Sequence, residues 1–193
     1  LTSTNFDPLP HWHVGAQMVA MNFQTTDKGM SIYEAMFKNN GGCGYVLKPD
    51  YCLNEGLDML TKNKLQTLNI TILCAWNIQT TSDILNPYVS VKKHCPKKTQ
   101  FGRKFKTSVI QKNGFNPEWN EKFTFKFPIA YSTLTFLRFK IKNSSAFNKN
   151  YTIGKSVIPF DLMNEGKCFY RPKFDLTLFF SRLSKYFTKR SKR

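Results

Sequence analysis

Lysine and arginine side chains recur at alternate positions in three segments of this sequence. In each segment apolar residues separate the cations, as in Lys-Phe-Thr-Phe-Lys at 122–126. A strand with this pattern buries one face and exposes the other, so the cations would face solvent and could bind anions. We predict that seven of them share one sheet surface and contact lipid: Lys104, Lys106, Lys122, Lys126, Arg138, Lys140 and Lys142. Five cations predicted to lie in loops could extend this surface: Lys92, Lys93, Lys97, Lys98 and Arg103.

The net charge also indicates an anionic partner. The 193 residues carry 29 Lys and Arg against 12 Asp and Glu, a net charge of +17. Residues 1–64 have a net charge of −1 and residues 65–193 one of +18. Nucleic acid, acidic lipid and acidic protein would all fit such a field. A nucleic-acid reader would expose aromatic residues among its cations. Here the aromatics alternate onto the inferred core face, so we expect no nucleic acid.

Other side chains that could do chemistry form no convincing site. His11 and His13 flank a tryptophan, but no carboxylate or thiol joins them at a metal-binding spacing. The glycines around Cys43 fit a turn, and no base is spaced to activate that thiol. We therefore predict no catalytic residue and no metal ligand in the chain.

From residue 65 onward the hydrophobic period is two, as in Leu68, Ile70 and Ile72. Turn signals such as Asn113-Gly114 separate the short runs, which predicts an antiparallel β-sandwich over 65–175. Residues 176–193 form a basic amphipathic tail. Its spacing fits a helix, but a last strand followed by a disordered end fits equally well.

The first fifty residues follow a different pattern. The apolar run 17–23 predicts a strand buried on both faces, and 31–38 has the spacing of a helix that ends at the glycine cluster 41–44. One strand and one helix cannot bury each other's faces alone, so this piece needs a packing partner. Residues 51–64 are predicted to be a linker.

Several general expectations follow from the whole chain. Its five cysteines are odd in number and contain no C-x-x-C pair, as expected for thiols in a reducing compartment. No apolar run reaches the roughly 18 residues of a membrane span. The residues from Leu1 onward lack the features of a secretory signal, and we expect a fragment of a longer protein.

Two stretches resemble a known family. Residues 5–12, 15–25 and 40–49 resemble the end of the catalytic barrel, the Y-box end, of eukaryotic phosphoinositide-specific phospholipase C. Residues 113–121, 137–139 and 153–159 resemble the C2 domain that follows it. The resemblance implies a mainly β chain: an eight-stranded antiparallel C2-type sandwich at 65–175, preceded at 1–50 by the last strand and helix of a TIM-type α/β barrel. Delta- and zeta-like members fit best.

The resemblance also implies an activity for the longer protein. That family hydrolyses phosphatidylinositol 4,5-bisphosphate to diacylglycerol and inositol trisphosphate in intracellular signalling, with Ca²⁺ in the catalytic site. The family's catalytic residues lie upstream of the point that matches Leu1. We therefore expect this chain alone to be inactive and to bind no cofactor.

The resemblance further implies how the C2 domain works. Where the family commonly has acidic Ca²⁺ ligands, this chain has Asn86, Asn143, Ser145 and Tyr151. We expect a Ca²⁺-independent, lysine-rich adaptor that binds phosphoinositides and phosphatidylserine and packs on the barrel. Its location would be cytoplasmic, peripheral on the inner face of membranes. The alternative is a non-enzymatic interaction module of a catalytically dead relative that binds acidic protein or nucleic acid.

Overall fold

The computed structural model describes residues 3–53, 64–78, 84–96, 104–145, 150–164, 166–170 and 177–188. Within residues 3–53, which we call the N-terminal layer, the helices are α1 (Leu9–His13), α2 (Lys28–Met36) and α3 (Asp50–Leu53). The strands that follow are β1 (Leu65–Trp76), β2 (Pro87–His94), β3 (Lys104–Lys106), β4 (Glu118–Pro128), β5 (Phe136–Asn143), β6 (Tyr151–Pro159), β7 (Gly166–Tyr170) and β8 (Thr177–Thr188).

These strands form two four-stranded sheets that pack face to face. Sheet A has the order β4-β1-β8-β7, and sheet B has the order β3-β2-β5-β6. Every neighbouring pair is antiparallel. The predicted mainly β, eight-stranded antiparallel sandwich is confirmed.

The core of the sandwich consists of alternate strand residues, as the period of two predicts. Each such side chain stabilises the fold by about 1.5–3 kcal/mol when fully buried. Polar residues of β1, such as Thr67 and Asn69, lie on the opposite side of their strand and are half-buried. The buried set includes Leu68, Ile70 and Ile72 of β1, Phe125 and Phe127 of β4, and Leu137, Phe139 and Ile141 of β5.

Residues 177–188 form strand β8, so the helical alternative for the tail is wrong. The predicted last strand at 176–179 is present, but it continues to Thr188 where we expected a disordered end. β8 lies between β1 and β7 and pairs with both. Without it, the second edge of the twelve-residue β1 would lack hydrogen-bond partners, which a long central strand requires. The segment that we predicted as a separate tail after residue 175 is therefore part of the sandwich.

Helix α2 organises the N-terminal layer. It begins three residues before the predicted start because the Asp27 side chain caps it, accepting a hydrogen bond from the Met30 backbone N–H at 2.9 Å. The predicted apolar positions Ile32, Ala35 and Met36 are buried. Gly29 is needed here, since a Cβ at that position would lie 2.3 Å from the Phe6 carbonyl oxygen.

The predicted buried strand at 17–23 is wrong. The segment forms no strand ladder with any described residue. Met18 is 90% exposed and Phe23 is 67% exposed. A strand buried on both faces lies within a sheet that is covered on both sides, and the described part of this chain supplies no such sheet around residues 17–23. The preceding residues Leu9–His13 form helix α1.

The N-terminal layer packs on one end of the outer face of sheet B. Leu9 and Trp12 of α1 and Ile32 of α2 form a second apolar cluster with sheet residues such as Phe136 and Val157. The rings of Trp12 and Phe136 have centroids 6.4 Å apart. The layer and the sandwich therefore share a buried interface.

Two general expectations can be compared with the described residues. No helix among them is both long and apolar enough to cross a membrane. Their cysteines with described side chains, Cys43, Cys52, Cys74 and Cys95, are thiols. The side chain of Cys168 lies outside the described residues.

Candidate anion-binding face

The outer side of sheet B carries a cluster of cations, which we call the basic face. Strand register places Lys104 of β3, Lys92 of β2 and Arg138 of β5 directly across from one another in one row. The next row contains Lys106, Ser90, Lys140 and Lys155 in the same way. The basic face consists of the cations of these two rows together with Lys142: Lys92, Lys104, Lys106, Arg138, Lys140, Lys142 and Lys155.

The charge of this face is not balanced within its own sheet. Strands β2, β3, β5 and β6 contain no aspartate or glutamate. Like charges directly opposite one another destabilise a sheet, and Lys140 faces Lys155 in this way. Burial lowers the pKa of Lys140, and the neighbouring cations Arg138, Lys142, Lys155 and Lys104 lower it further. An anion bound at this face would relieve the repulsion.

The prediction that seven named cations share one surface is wrong for two of them. Lys122 and Lys126 belong to β4, which lies in sheet A, on the other side of the sandwich. The alternation of residues shows which side of its own sheet a side chain occupies, but it does not show to which sheet the strand belongs. The other five share the basic face as predicted: Lys104, Lys106, Arg138, Lys140 and Lys142.

Sequence reasoning missed Lys155 as a member of the basic face. It predicted Lys92 and Lys93 as loop residues that could extend the surface, but both lie in β2, and Lys93 is buried with its Nζ donating to the Lys126 carbonyl oxygen. The alternation of Ser90 and Lys92 with buried valines could have shown that the strand continues past Val91. The other loop cations that we considered, Lys97, Lys98 and Arg103, lie outside the described residues.

At one end of the sandwich, the structure brings together the four positions where acidic ligands were expected. The Asn143 Oδ1 atom accepts a hydrogen bond from the Asn86 backbone N–H at 2.7 Å. The Nδ2 atom of Asn143 lies 3.3 Å from the Tyr151 hydroxyl oxygen. The Ser145 N–H donates to the side chain of Asn150 at 3.1 Å. We call this hydrogen-bonded group the amide cluster.

The amide cluster does not fit a Ca²⁺ ion. Ca²⁺ prefers six to eight oxygen ligands with carboxylates among them, and these side chains are neutral. Their oxygens are also engaged: that of Asn143 binds Asn86, and that of Asn86 accepts from the Lys112 N–H at 2.9 Å. Among the described residues there is no group of three or more His, Cys, Asp or Glu that could hold a metal. Asp83, a nearby carboxylate in the sequence, lies outside them.

Comparison with known families matches both parts of the chain. Residues 1–51 match the family described as "Phosphatidylinositol-specific phospholipase C, Y domain". Residues 66–172, more than half of the chain, match the C2 domain.

Individual relatives and a solved structure agree with these matches. Human 1-phosphatidylinositol 4,5-bisphosphate phosphodiesterase delta-1 is 33% identical over 175 residues, which cover 85% of this chain and 23% of that protein. The zeta-1 protein of Sus scrofa is 34% identical over 174 residues, which cover 85% and 27%. The crystal structure of S. officinalis PLC21 matches with a TM-score of 0.78 and 27% identity over 98% of this chain and 25% of that one. The chain thus spans about a quarter of the length of these relatives.

Proposed function

Because the chain belongs to the C2 domain family and carries the Y domain of phosphatidylinositol-specific phospholipase C, we propose that it is the C-terminal part of such an enzyme. In this proposal its C2 sandwich is an electrostatic adaptor that holds the enzyme on anionic membranes without Ca²⁺. The protein is then cytoplasmic and peripheral on the inner face of membranes.

The basic face of sheet B carries this proposal. Each Lys or Arg near an anionic leaflet contributes about 1 kcal/mol of attraction. The surface contains no acid in its strands, and its lysines are enough for reversible binding to phosphatidylserine or phosphoinositides even without Lys155, which donates to the Thr26 carbonyl oxygen, and the partly buried Arg138. Aromatic side chains on which bases could stack are typical of RNA-binding surfaces. Tyr88, which lies in the basic face, is buried beneath Lys106 rather than exposed.

The amide cluster supports independence from Ca²⁺. Its hydrogen bonds connect the strand ends at Asn86, Asn143 and Tyr151 without a metal. Neutral amides at these positions cannot supply the negative charge that concentrates Ca²⁺ in a loop site.

The named activity of the relatives supports the proposal for the longer protein. We propose that it hydrolyses phosphatidylinositol 4,5-bisphosphate to diacylglycerol and inositol trisphosphate, with Ca²⁺ in its catalytic site, and that this chain alone is inactive. The exposed apolar residues of the N-terminal layer fit intramolecular packing against the rest of the barrel. They include Met18, Phe23, Tyr45 and Leu47. Release of inositol trisphosphate by the isolated chain would contradict its inactivity.

Sedimentation with phosphatidylserine vesicles tests the adaptor function. We expect the chain to sediment equally in Ca²⁺ and in EGTA, and to dissociate as salt rises. Replacing a basic-face residue, Lys140→Gln, should weaken binding more than the matched change Lys122→Gln on sheet A.

Three results would overturn this function: binding that requires Ca²⁺, binding that is indifferent to anionic lipid, or equal losses in the two variants. Preferential binding to RNA or to an acidic protein at the same salt concentration would instead favour the non-enzymatic interaction module.

A further inference from the structure

Two buried nitrogen atoms near the end of the basic face have no hydrogen-bond partner. They are Nε2 of His94 and Nε of Arg138. His94 is a buried residue, only 6% exposed. Leaving a buried polar group without a partner costs about 1–3 kcal/mol, and more for a charged group. Such atoms call for an explanation.

Both atoms lie where the N-terminal layer meets sheet B, a junction that we call the seam. His94 is directly across from Phe136, which packs against Trp12 of the layer. One step along the same side of the sheet, Arg138 is directly across from Lys92. The seam therefore has one wall from the sheet and one from the layer.

The charges around the seam are mainly positive. Besides burial, the cations Arg138, Lys28 and Lys92 lower the pKa of His94 to about 3, against an opposing effect of Asp7. His94 is therefore neutral near pH 7 and can donate one hydrogen bond. Asp7 is the acid of the seam, but its carboxylate pairs with the Lys28 ammonium and accepts from the Leu9 N–H. Neither Asp7 oxygen hydrogen-bonds the Arg138 Nε atom, which lacks a partner.

We propose that the seam is a binding site for a phosphate group. The Arg138 guanidinium and the Lys92 ammonium would bind two of its oxygens, and the imidazole N–H of His94 would bind a third. Arginine suits phosphate because its planar group donates two parallel hydrogen bonds to it. A tetrahedral phosphate offers enough acceptors to satisfy both buried nitrogens and still to contact the Lys92 ammonium. The ligand is inorganic phosphate or a phosphate monoester, such as a lipid headgroup carries.

This site shares Lys92 and Arg138 with the basic face, but it binds a single phosphate group without a membrane, so soluble phosphate and vesicles test the two proposals separately. Its three binding residues belong to sheet B, in strands β2 and β5, at the edge of the layer that carries Lys28 and Asp7. Binding would stabilise the folded chain.

Thermal unfolding of the 193-residue chain in inorganic phosphate tests the site without a membrane. We expect the Tm to rise with phosphate and to stay lower in sodium chloride of equal ionic strength. Arg138→Gln should weaken phosphate binding by about tenfold, the effect of losing a charged hydrogen bond. Lys92→Gln tests the same site should the arginine variant fail to fold. Lys122→Gln on sheet A is the matched control and should bind as the wild type does.

Asp7→Asn has the opposite expected sign. Removing the carboxylate that opposes an incoming anion should tighten phosphate binding, although it also removes the ion pair with Lys28. A merely structural role for Arg138 would not produce opposite changes in the two variants.

The source of the phosphate is identified with two further probes. The first probe is soluble inositol 1,4,5-trisphosphate. If it binds more tightly than inorganic phosphate, and if Arg138→Gln weakens the binding of both, the ligand is a phosphate monoester. Vesicles of phosphatidylcholine with phosphatidylinositol 4,5-bisphosphate then show whether the lipid form reaches the seam. A phosphate effect no larger than that of chloride, or equal losses in Arg138→Gln and Lys122→Gln, overturns the site. Either result leaves binding to phosphatidylserine vesicles to be judged separately.

Discussion

Sheets A and B have the same inner pattern and different outer chemistry. Both bury alternate large apolar residues in one core, represented by Phe125 in sheet A and Phe139 in sheet B. Outside, β1 of sheet A presents neutral residues such as Thr67, Asn69 and Thr71, whereas the strands of sheet B present cations and no acid. The N-terminal layer also covers one end of sheet B.

The comparison shows that stability and function are separated by side-chain direction. Residues that face inward must match in volume across the two sheets, which leaves them little freedom. Those that face outward can vary at small cost, and in sheet B they have become an anion-binding surface. Substitutions on matched positions of the two sheets can test this separation.

The largest effect is expected in the shared core. Phe125→Ala and Phe139→Ala should each lower the free energy of unfolding by about 3–5 kcal/mol, because both create cavities among buried residues. Urea unfolding measures the change. Phe115→Ala serves as the control because Phe115 is 62% exposed, and it should lower the free energy of unfolding by no more than about 0.5 kcal/mol. A large difference between the two core variants would show that the sheets do not share one core.

A second prediction concerns pH and distinguishes the seam of sheet B. The pKa of His94 is lowered to about 3 in the folded chain and is about 6.5 when unfolded. The unfolded chain binds a proton on His94 more readily than the folded chain does. The free energy of unfolding is therefore unaffected by this histidine above about pH 6.5, and it falls by up to about 1.4 kcal/mol per pH unit as the pH drops towards 3. His94→Gln should flatten the unfolding free energy against pH in this range. His11→Gln, at an exposed position, should not.

A third prediction compares one asparagine from each sheet. Asn143→Ala removes the acceptor of the Asn86 N–H and should cost about 1–3 kcal/mol. Asn69→Ala on sheet A removes only an exposed hydrogen bond to Thr124, and should cost less than about 0.5 kcal/mol. Thermal unfolding gives both values. Equal losses would mean that the amide cluster does not hold the strand ends of sheet B.

The smallest effect should come from relieving repulsion on the basic face. Lys140→Gln removes a cation that lies opposite Lys155 and should stabilise the fold by about 0.2–1 kcal/mol at low salt. High salt should abolish the gain because it screens the charges. Lys122→Gln on sheet A should change stability little at any salt concentration. A destabilising Lys140→Gln would show that these cations do not repel one another.

Much of the sandwich could be predicted from the sequence, because a period of two is a local signal. Leu68, Ile70 and Ile72 are buried as the pattern indicated. Pairing between strands is not local, so the assignment of Lys122 and Lys126 to the surface of Lys140 was wrong. The strand β8 was ambiguous for the same reason, since its identity depends on β1, far away in the sequence.

The N-terminal layer was predicted in part. The apolar spacing of α2 is visible in its own residues, and Asp27 explains the earlier start. The run 17–23 was predicted to be a buried strand because it is apolar. The described part of the chain contains no sheet that could bury it. The amide cluster was predicted as a set of substituted positions, but its hydrogen bonds depend on how three distant segments meet.

The central place of β8 has a consequence for biosynthesis. β8 emerges from the ribosome about a hundred residues after β1, the strand on which it lies. Until then the nascent chain presents β1 with an open edge, and such edges recruit other strands and promote aggregation. We expect nascent chains that lack β8 to depend on chaperones, and completion of sheet A to wait until β8 has been translated.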